Sequence, residues 1–305
     1  MKALLKTALV GVGMFALAST AQAAGGVCLI TKNNTNPFFV KMKEGAEAKA
    51  KELGVEFTAA AGKVDGDAAP QIEAIENCVA GGNKGILITA SNDSVIPALK
   101  AARAAGLLVI ALDTPIGDAE AADTTFATDN FEAGLLIGKW AAATLGPDGV
   151  KNAKIGMLDI NKDNISVDVA RDTGFLTGFG IAVPDLKVMG SETDPRVIGH
   201  ESSGANPEGG LKSAENLLAK NPDMNVIYTI NEPAAEGAYQ GMKAAGKETQ
   251  ALIVSVDGGC PGVKSVTDGI IGATSMQFPL LMASLGVEAV AAFAKDGTKP
   301  KNSEG

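Results

Sequence analysis

Residues 31–39 read TKNNTNPFF, a run of amide side chains, a proline and two adjacent phenylalanines just past an apolar run at 27–30. Amides donate to and accept from hydroxyls, and an aromatic face covers the C–H face of a sugar ring. A solute rich in hydroxyls also needs carboxylates that accept several protons and cations that donate. Asn36, Asp113, Asn231, Asp257 and Gln277 each follow a short apolar run, and Arg171 opens a helical turn after another. Phe38 and Phe39 would supply the apolar faces. Each residue also has a plainer reading: the phenylalanines as core, Asn231 as an N-cap before Pro233, either aspartate as a turn residue. Their shared position after strand ends is what a single binding rim requires.

Catalysis has little to work with. His200 is the only histidine, and its Gly/Ser-rich surroundings at 199–204 predict a solvated loop. The chain has no GxSxG elbow, HExxH, paired CxxC or Walker loop, so no metal or other cofactor is expected. Gly11-x-Gly13-x-x-Ala16 matches a dinucleotide fingerprint but falls in an apolar leader. Asp159-x-Asn161-x-Asp163 opens like a calcium loop. It then has Asn164 where the turn glycine belongs and Ala170 where the bidentate glutamate belongs.

The elements that must position these residues alternate. Apolar runs at 27–30, 55–58, 85–88, 107–112, 153–158, 186–189, 226–230, 251–256 and 270–274 read as strands. Amphipathic segments at 37–53, 68–80, 93–105, 207–220 and 233–245, with a long one at 130–145, read as helices. Such alternation predicts an α/β protein with parallel strands and right-handed crossovers. Residues 109–115 (VIALDTP) and 253–259 (IVSVDGG) echo each other, each an apolar run ending in an aspartate. Ligands of open parallel sheets bind beyond the carboxyl ends of strands, so both aspartates are candidates.

Residues 1–23 read as a signal peptide: Lys2 and Lys6, an apolar stretch, then Ala21-Gln22-Ala23 as the cleavage site. The apolar stretch is too short to span a membrane. An exported, soluble chain of about 280 residues follows, enough for two lobes of ordinary size. Its negative net charge, -9 before two leader lysines are lost, argues against nucleic acid or an anionic membrane as partner. Export permits disulfides. Cys28 and Cys78 could pair, or these two and Cys260 are small buried residues.

NPFF at 36–39, ALDTP around Asp113, RDTGF at 171–175, INEPAAEGA at 230–238, VSVDG at 254–258 and SMQFP at 275–279 resemble, in order and spacing, the type I periplasmic sugar-binding proteins. These are solute receptors of ABC importers, and the chain is most similar to the ribose/fructose-binding group. The resemblance implies two doubly wound parallel-sheet lobes joined by a hinge, with a monosaccharide in the cleft. It implies lobes at 24–128 plus 278–305 and at 129–277, with crossings near Thr128 and Gln277. The helix at 280–294 would return to the first lobe. The resemblance adds Lys32 as a donor to the sugar, Asp113 and Asp257 as acceptors from opposite lobes, and Arg171, Asn231 and Gln277 as donors or bridges. It implies a periplasmic location, no enzyme activity, a membrane permease as partner and a monomer, with a chemoreceptor as a further compatible partner.

The chain departs from the ribose pattern at three places. Thr114 stands where ribose receptors carry arginine, Lys32 replaces a small polar residue, and Ala205 falls where an aromatic is expected. These variants favour fructose over ribose or another monosaccharide. A final crossing segment of the family is not found before Gly305, so the sequence is expected to stop short of the family's full length. Two other classes compete with this one. An exported hydrolase would use Asp113 and Asp257 as acid and base. A transcription regulator of the same fold would need a helix-turn-helix where the leader stands.

Overall fold

The computed structural model describes residues 25–301. Residues 1–24 and 302–305 lie outside the described residues, and the signal-peptide reading of 1–23 falls there. The chain forms two five-stranded parallel sheets. The first is built from β1 (Val27–Thr31), β2 (Phe57–Ala61), β3 (Gly85–Ile88), β4 (Leu108–Leu112) and β5 (Thr124–Phe126). Between them run α1 (Pro37–Leu53), α2 (Ala69–Ala80) and α3 (Ile96–Ala104), the last after a 3-10 turn at Asp93–Val95. Helix α4 (Asn130–Lys151) leads to the second sheet: β6 (Ile155–Asp159), β7 (Val197–Ser202), β8 (Val226–Thr229), β9 (Leu252–Asp257) and β10 (Ala273–Met276). Its helices are α5 (Ser166–Phe179), α6 (Pro207–Lys220), α7 (Glu232–Ala244) and α8 (Cys260–Thr267), and α9 (Pro279–Asp296) follows β10.

Strands β1, β3, β4, β6 and β8 are buried along their whole length. That is the signature of parallel sheets covered on both faces, and it explains why unbroken apolar runs marked them in the sequence. The strand orders are β2-β1-β3-β4-β5 and, read from the far edge, β7-β6-β8-β9-β10. Each sheet therefore repeats the other, and the echoed aspartates stand at the ends of the matching strands β4 and β9. Helix α9 packs on α1, β3 and β4, while α4 packs on α5 and β10.

Several expectations are corrected. Residues 186–189 form turns and no strand; the second strand of this sheet is β7. Its VIGHES sequence is mostly half-buried at a sheet edge, so it lacks an apolar run. The three-residue β5 went unread for the same lack of signal. Helix α4 is regular to residue 145, breaks at Gly146 (φ 67°, ψ 175°) before Pro147, and then resumes. Cys28 and Cys78 form a disulfide with Cα atoms 6.1 Å apart, tying β1 to α2. Cys260 is exposed, so the reading of three small buried residues fails. Among the described residues no helix is long and apolar enough to cross a membrane.

Candidate functional site

The carboxyl ends of both sheets face one narrow cleft. The first half of the chain lines it with Lys32, Asn36, Phe38, Phe39, Asp65 and Asp113. The second half supplies Ile160, Val167, Arg171, Ala205, Ile230, Asn231 and Asp257.

Arg171 is the centre of the site. Its Nε donates to Asn130 Oδ1 at 2.8 Å and its Nη1 to the Ile230 carbonyl at 3.0 Å. Its Nη2 lies 3.5 Å from Asp113 Oδ1 and its Nη1 3.6 Å from Asp257 Oδ1. One guanidinium thus joins carboxylates from opposite sheets, and all three groups are buried. A planar fork with several donors suits this task in a way that a lysine would not. Helix α5 carries Arg171 into place by packing unusually close to α4. A Cβ on Gly134 would stand 2.1 Å from the Arg171 carbonyl oxygen, so only glycine admits this approach.

The two aspartates sit on strained backbone. Asp113 has φ 61° and Asp257 φ 139°, and the cleft residue Ala205 has φ 54°. Non-glycine residues with positive φ are uncommon and cluster where surrounding structure holds a functional group in place. Burial pushes the Asp257 carboxyl well above the usual range; Arg171 opposes this, and Glu232, Asp113 and Asp65 reinforce it. Desolvation thus outweighs the nearby donors at this carboxyl.

The amides divide their duties. Asn36 caps α1, its Oδ1 accepting from the Phe38 N–H at 2.9 Å. Asn231 caps α7 through the Ala234 N–H at 3.1 Å and donates to the Ala205 carbonyl at 3.1 Å. Phe38 and Phe39 meet edge to face at 5.3 Å and belong to the core as well as to the cleft wall. Lys32 is 2 % exposed, and its backbone N–H is held by Thr89 Oγ1.

Of the nine residues singled out from the sequence, Gln277 alone does not line the cleft. It follows β10, next to Asp257, whose carbonyl accepts its backbone N–H at 2.8 Å. Its buried side-chain amide has no hydrogen-bond partner among the described residues. Asp65 was missed. It accepts from Asn33 Nδ2, and burial raises its pKa against the opposing charge of Lys32. The signal was the same as for Asp113, an aspartate shortly after a strand. Reading that strand as 55–58 instead of Phe57–Ala61 placed Asp65 too far beyond its end. His200 is not a solvated loop residue. It lies on β7 between buried carboxylates, outside the cleft.

The fold and cleft agree with what the chain is similar to. The model of the periplasmic binding protein domain matches residues 27–299. The ribose import binding protein RbsB of Haemophilus influenzae is 33% identical over 273 residues, covering 89% of this chain and 86% of the relative. Escherichia coli RbsB is 29% identical over 273 residues, covering 89% of this chain and 86% of that protein. A periplasmic solute binding protein of Actinobacillus succinogenes, solved with bound D-allose, superposes with a TM-score of 0.78. That pair is 24% identical over 91% of this chain and 94% of the other.

The chain belongs to the type I periplasmic sugar-binding proteins, the solute receptors of ABC importers. These are binding proteins and not enzymes, so the hydrolase reading of Asp113 and Asp257 has no support.

Proposed function

We propose that this protein captures a monosaccharide in the cleft, D-fructose before ribose or any other, and delivers it to an ABC permease. The observation that carries this reading is the Arg171 fork between Asp113 and Asp257, which brings hydroxyl acceptors from both sheets to one cation. Lys32, Asn36 and Asn231 complete a set of donors, and Phe38 and Phe39 an apolar wall. Gln277 adds a buried amide beside Asp257 that has no hydrogen-bond partner among the described residues. Fructose is preferred because Lys32, Thr114 and Ala205 depart from the ribose pattern. The relatives' names point to pentoses and hexoses of this general size: ribose for the two RbsB proteins, D-allose for the Actinobacillus structure.

The working parts are two lobes, 24–128 with 278–305 and 129–277, hinged near Thr128 and Gln277. The packing of α9 back onto α1 and β3 supports this division. Sugar held by one lobe recruits contacts from the other and shifts the population toward the closed form. The shift is limited to the sugar's differential affinity for the two forms. The closed monomer then docks on the permease from the periplasm, where a cleaved leader would deliver it. A chemoreceptor could read the same closed form.

The test is a thermal-shift screen with D-fructose, D-ribose, D-allose, D-xylose, D-glucose and myo-inositol. A ligand that binds only the folded state stabilises it by about 2.7 kcal/mol at 100-fold over its dissociation constant. D-fructose should give the largest rise. A larger rise with another sugar would replace fructose and keep the receptor, whereas no rise with any would refute the monosaccharide reading.

A further inference from the structure

Outside the cleft, the second half of the chain buries an unusual set of charges. Asp159 ends β6, Asp168 and Asp172 lie one turn apart on α5, and Glu192 precedes β7. Asp159, Asp172 and Glu192 surround His200 on β7, and the two aspartates of α5 reach 0% exposure. Among the described residues, no lysine or arginine forms an ion pair with any of these four carboxylates; His200 pairs with Asp159, Asp172 and Glu192, and Asp168 has no ion pair. Burying carboxylates without matching positive charge is costly, and one imidazolium would offset only one of them.

The geometry around the imidazole is directional. His200 Nε2 lies 2.9 Å from Glu192 Oε1. His200 Nδ1 lies 3.0 Å from Asp159 Oδ2 and 3.7 Å from Asp172 Oδ2. One donor atom each from Asp159, Asp172 and His200 lie within 4.8 Å of one another. Asp172 supplies a second and independent observation: both its oxygens are buried without a hydrogen-bond partner among the described residues. Asp168 Oδ1, Glu192 Oε2 and Tyr228 Oη are also unpartnered, and Tyr228 feels the charge of Asp172.

We propose that Asp159, Asp172 and His200 bind a first-row divalent cation, with Zn2+ or Mn2+ as the fitting class. Ligand atoms about 2.0–2.2 Å from such an ion stand roughly 3–3.6 Å from one another, close to the 3.0 and 3.7 Å between His200 Nδ1 and the two aspartates. His200 Nε2–H would donate to Glu192 Oε1 and leave the Nδ1 lone pair for the ion. This is the carboxylate–histidine–metal arrangement that fixes tautomer and ring orientation. An imidazole with carboxylates suits Zn2+ or Mn2+, whereas Ca2+ and Mg2+ favour oxygen alone. The ion would secure the wall of the cleft from behind, since its ligand Asp159 directly precedes the cleft residue Ile160.

The experiment uses untagged protein, stripped with a chelator and then titrated with Zn2+, Mn2+, Ca2+ and Mg2+ by calorimetry and thermal shift. Expected are one equivalent of Zn2+ or Mn2+ per chain and a higher melting temperature. D172N and H200Q should each weaken binding at least tenfold. A Co2+ absorption spectrum on the unmodified chain provides a readout that survives if either variant fails to fold. No stoichiometric binding and no Co2+ ligand-field bands would overturn the proposal. So would binding undiminished in both variants, or a preference for Ca2+ or Mg2+.

Discussion

The two halves of this protein repeat one strand order but secure their matching strands by opposite means. In the first half, a disulfide ties β1 to α2, and the polar group between strand ends is Gln71. Its Nε2 donates to the Thr31 and Thr89 carbonyls at 3.1 and 2.8 Å, and its Oε1 accepts from the Ser91 N–H at 2.9 Å. This is a neutral group with its bonds made. In the second half, the strand matching β1 is β6, and there Asp159, Asp168, Asp172, Glu192 and His200 are gathered with several oxygens unpartnered. Burial tends to lower the His200 pKa, but bonds from Asp159 and Glu192 win and lift it to about 10, so a cation bound at Nδ1 has to displace the proton that Nδ1 shares with Asp159. The difference teaches that topology dictates where polar groups must be buried and leaves their chemistry open. One half resolves the demand with a covalent bond and a satisfied amide, the other with charge that calls for countercharge.

The largest effect should come from breaking the link between the halves. Arg171→Ala leaves Asp113 and Asp257 buried without their shared cation, a loss on the order of 3–5 kcal/mol. Sugar affinity measured by calorimetry should fall by at least 100-fold. Affinity within a factor of two of the parent would detach the fork from ligand binding.

Next is the covalent staple. The double variant Cys28→Ala/Cys78→Ala should lose about 2–4 kcal/mol of stability. Hydrogen exchange should accelerate in β1, α2 and β2 and change little in β6 to β9. Uniform acceleration throughout would mean that the halves unfold as one unit, and the comparison would lose its energetic content.

Legibility in the sequence follows the same division between pattern and partner. Strands buried on both faces, such as ILI in β3 and LVIAL in β4, declare themselves because every position must be apolar. Aspartates at strand ends were legible because parallel sheets place ligands there. Strand β7 was not, since its edge position leaves VIGHES without a pattern. The cluster on α5 did leave a trace: Asp168 and Asp172 are four residues apart and so share a helix face. Nothing local says that this face is buried, because α5 is buried almost all round by α4 and the sheet. His200 likewise looked exposed among glycines and serines, when its environment is set by residues up to 41 positions away.

A subtler test asks whether the second half positions Arg171 through helix packing. Gly134→Ala places a methyl 2.1 Å from the Arg171 carbonyl oxygen, which α4 and α5 can accommodate only by separating. The expected cost is about 1–3 kcal/mol of stability. Sugar affinity should also fall, although Gly134 itself is not a cleft residue. Lost stability with unchanged affinity would show that the fork tolerates displacement.

The smallest effect concerns the far edge of the first half, where Lys299 Nζ and Arg103 Nη2 meet Asp123 Oδ1 at 2.7 and 2.8 Å. Burial tends to raise the Asp123 pKa, but bonds from Lys299, the Val109 N–H and Arg103 prevail and hold it below its ordinary 3.8. A depressed carboxylate pKa contributes stability above the unfolded value, and that contribution is lost as pH falls through the folded one. Lys299 is 57% exposed, so solvent screens its share, and Lys299→Ala should cost no more than about 1 kcal/mol. The melting temperatures of parent and variant should differ slightly at pH 7 and converge as pH falls below 3.8. A difference that persists into acid would assign the effect to packing of the lysine stem instead of its charge, and would leave Arg103 as the principal counterion of Asp123.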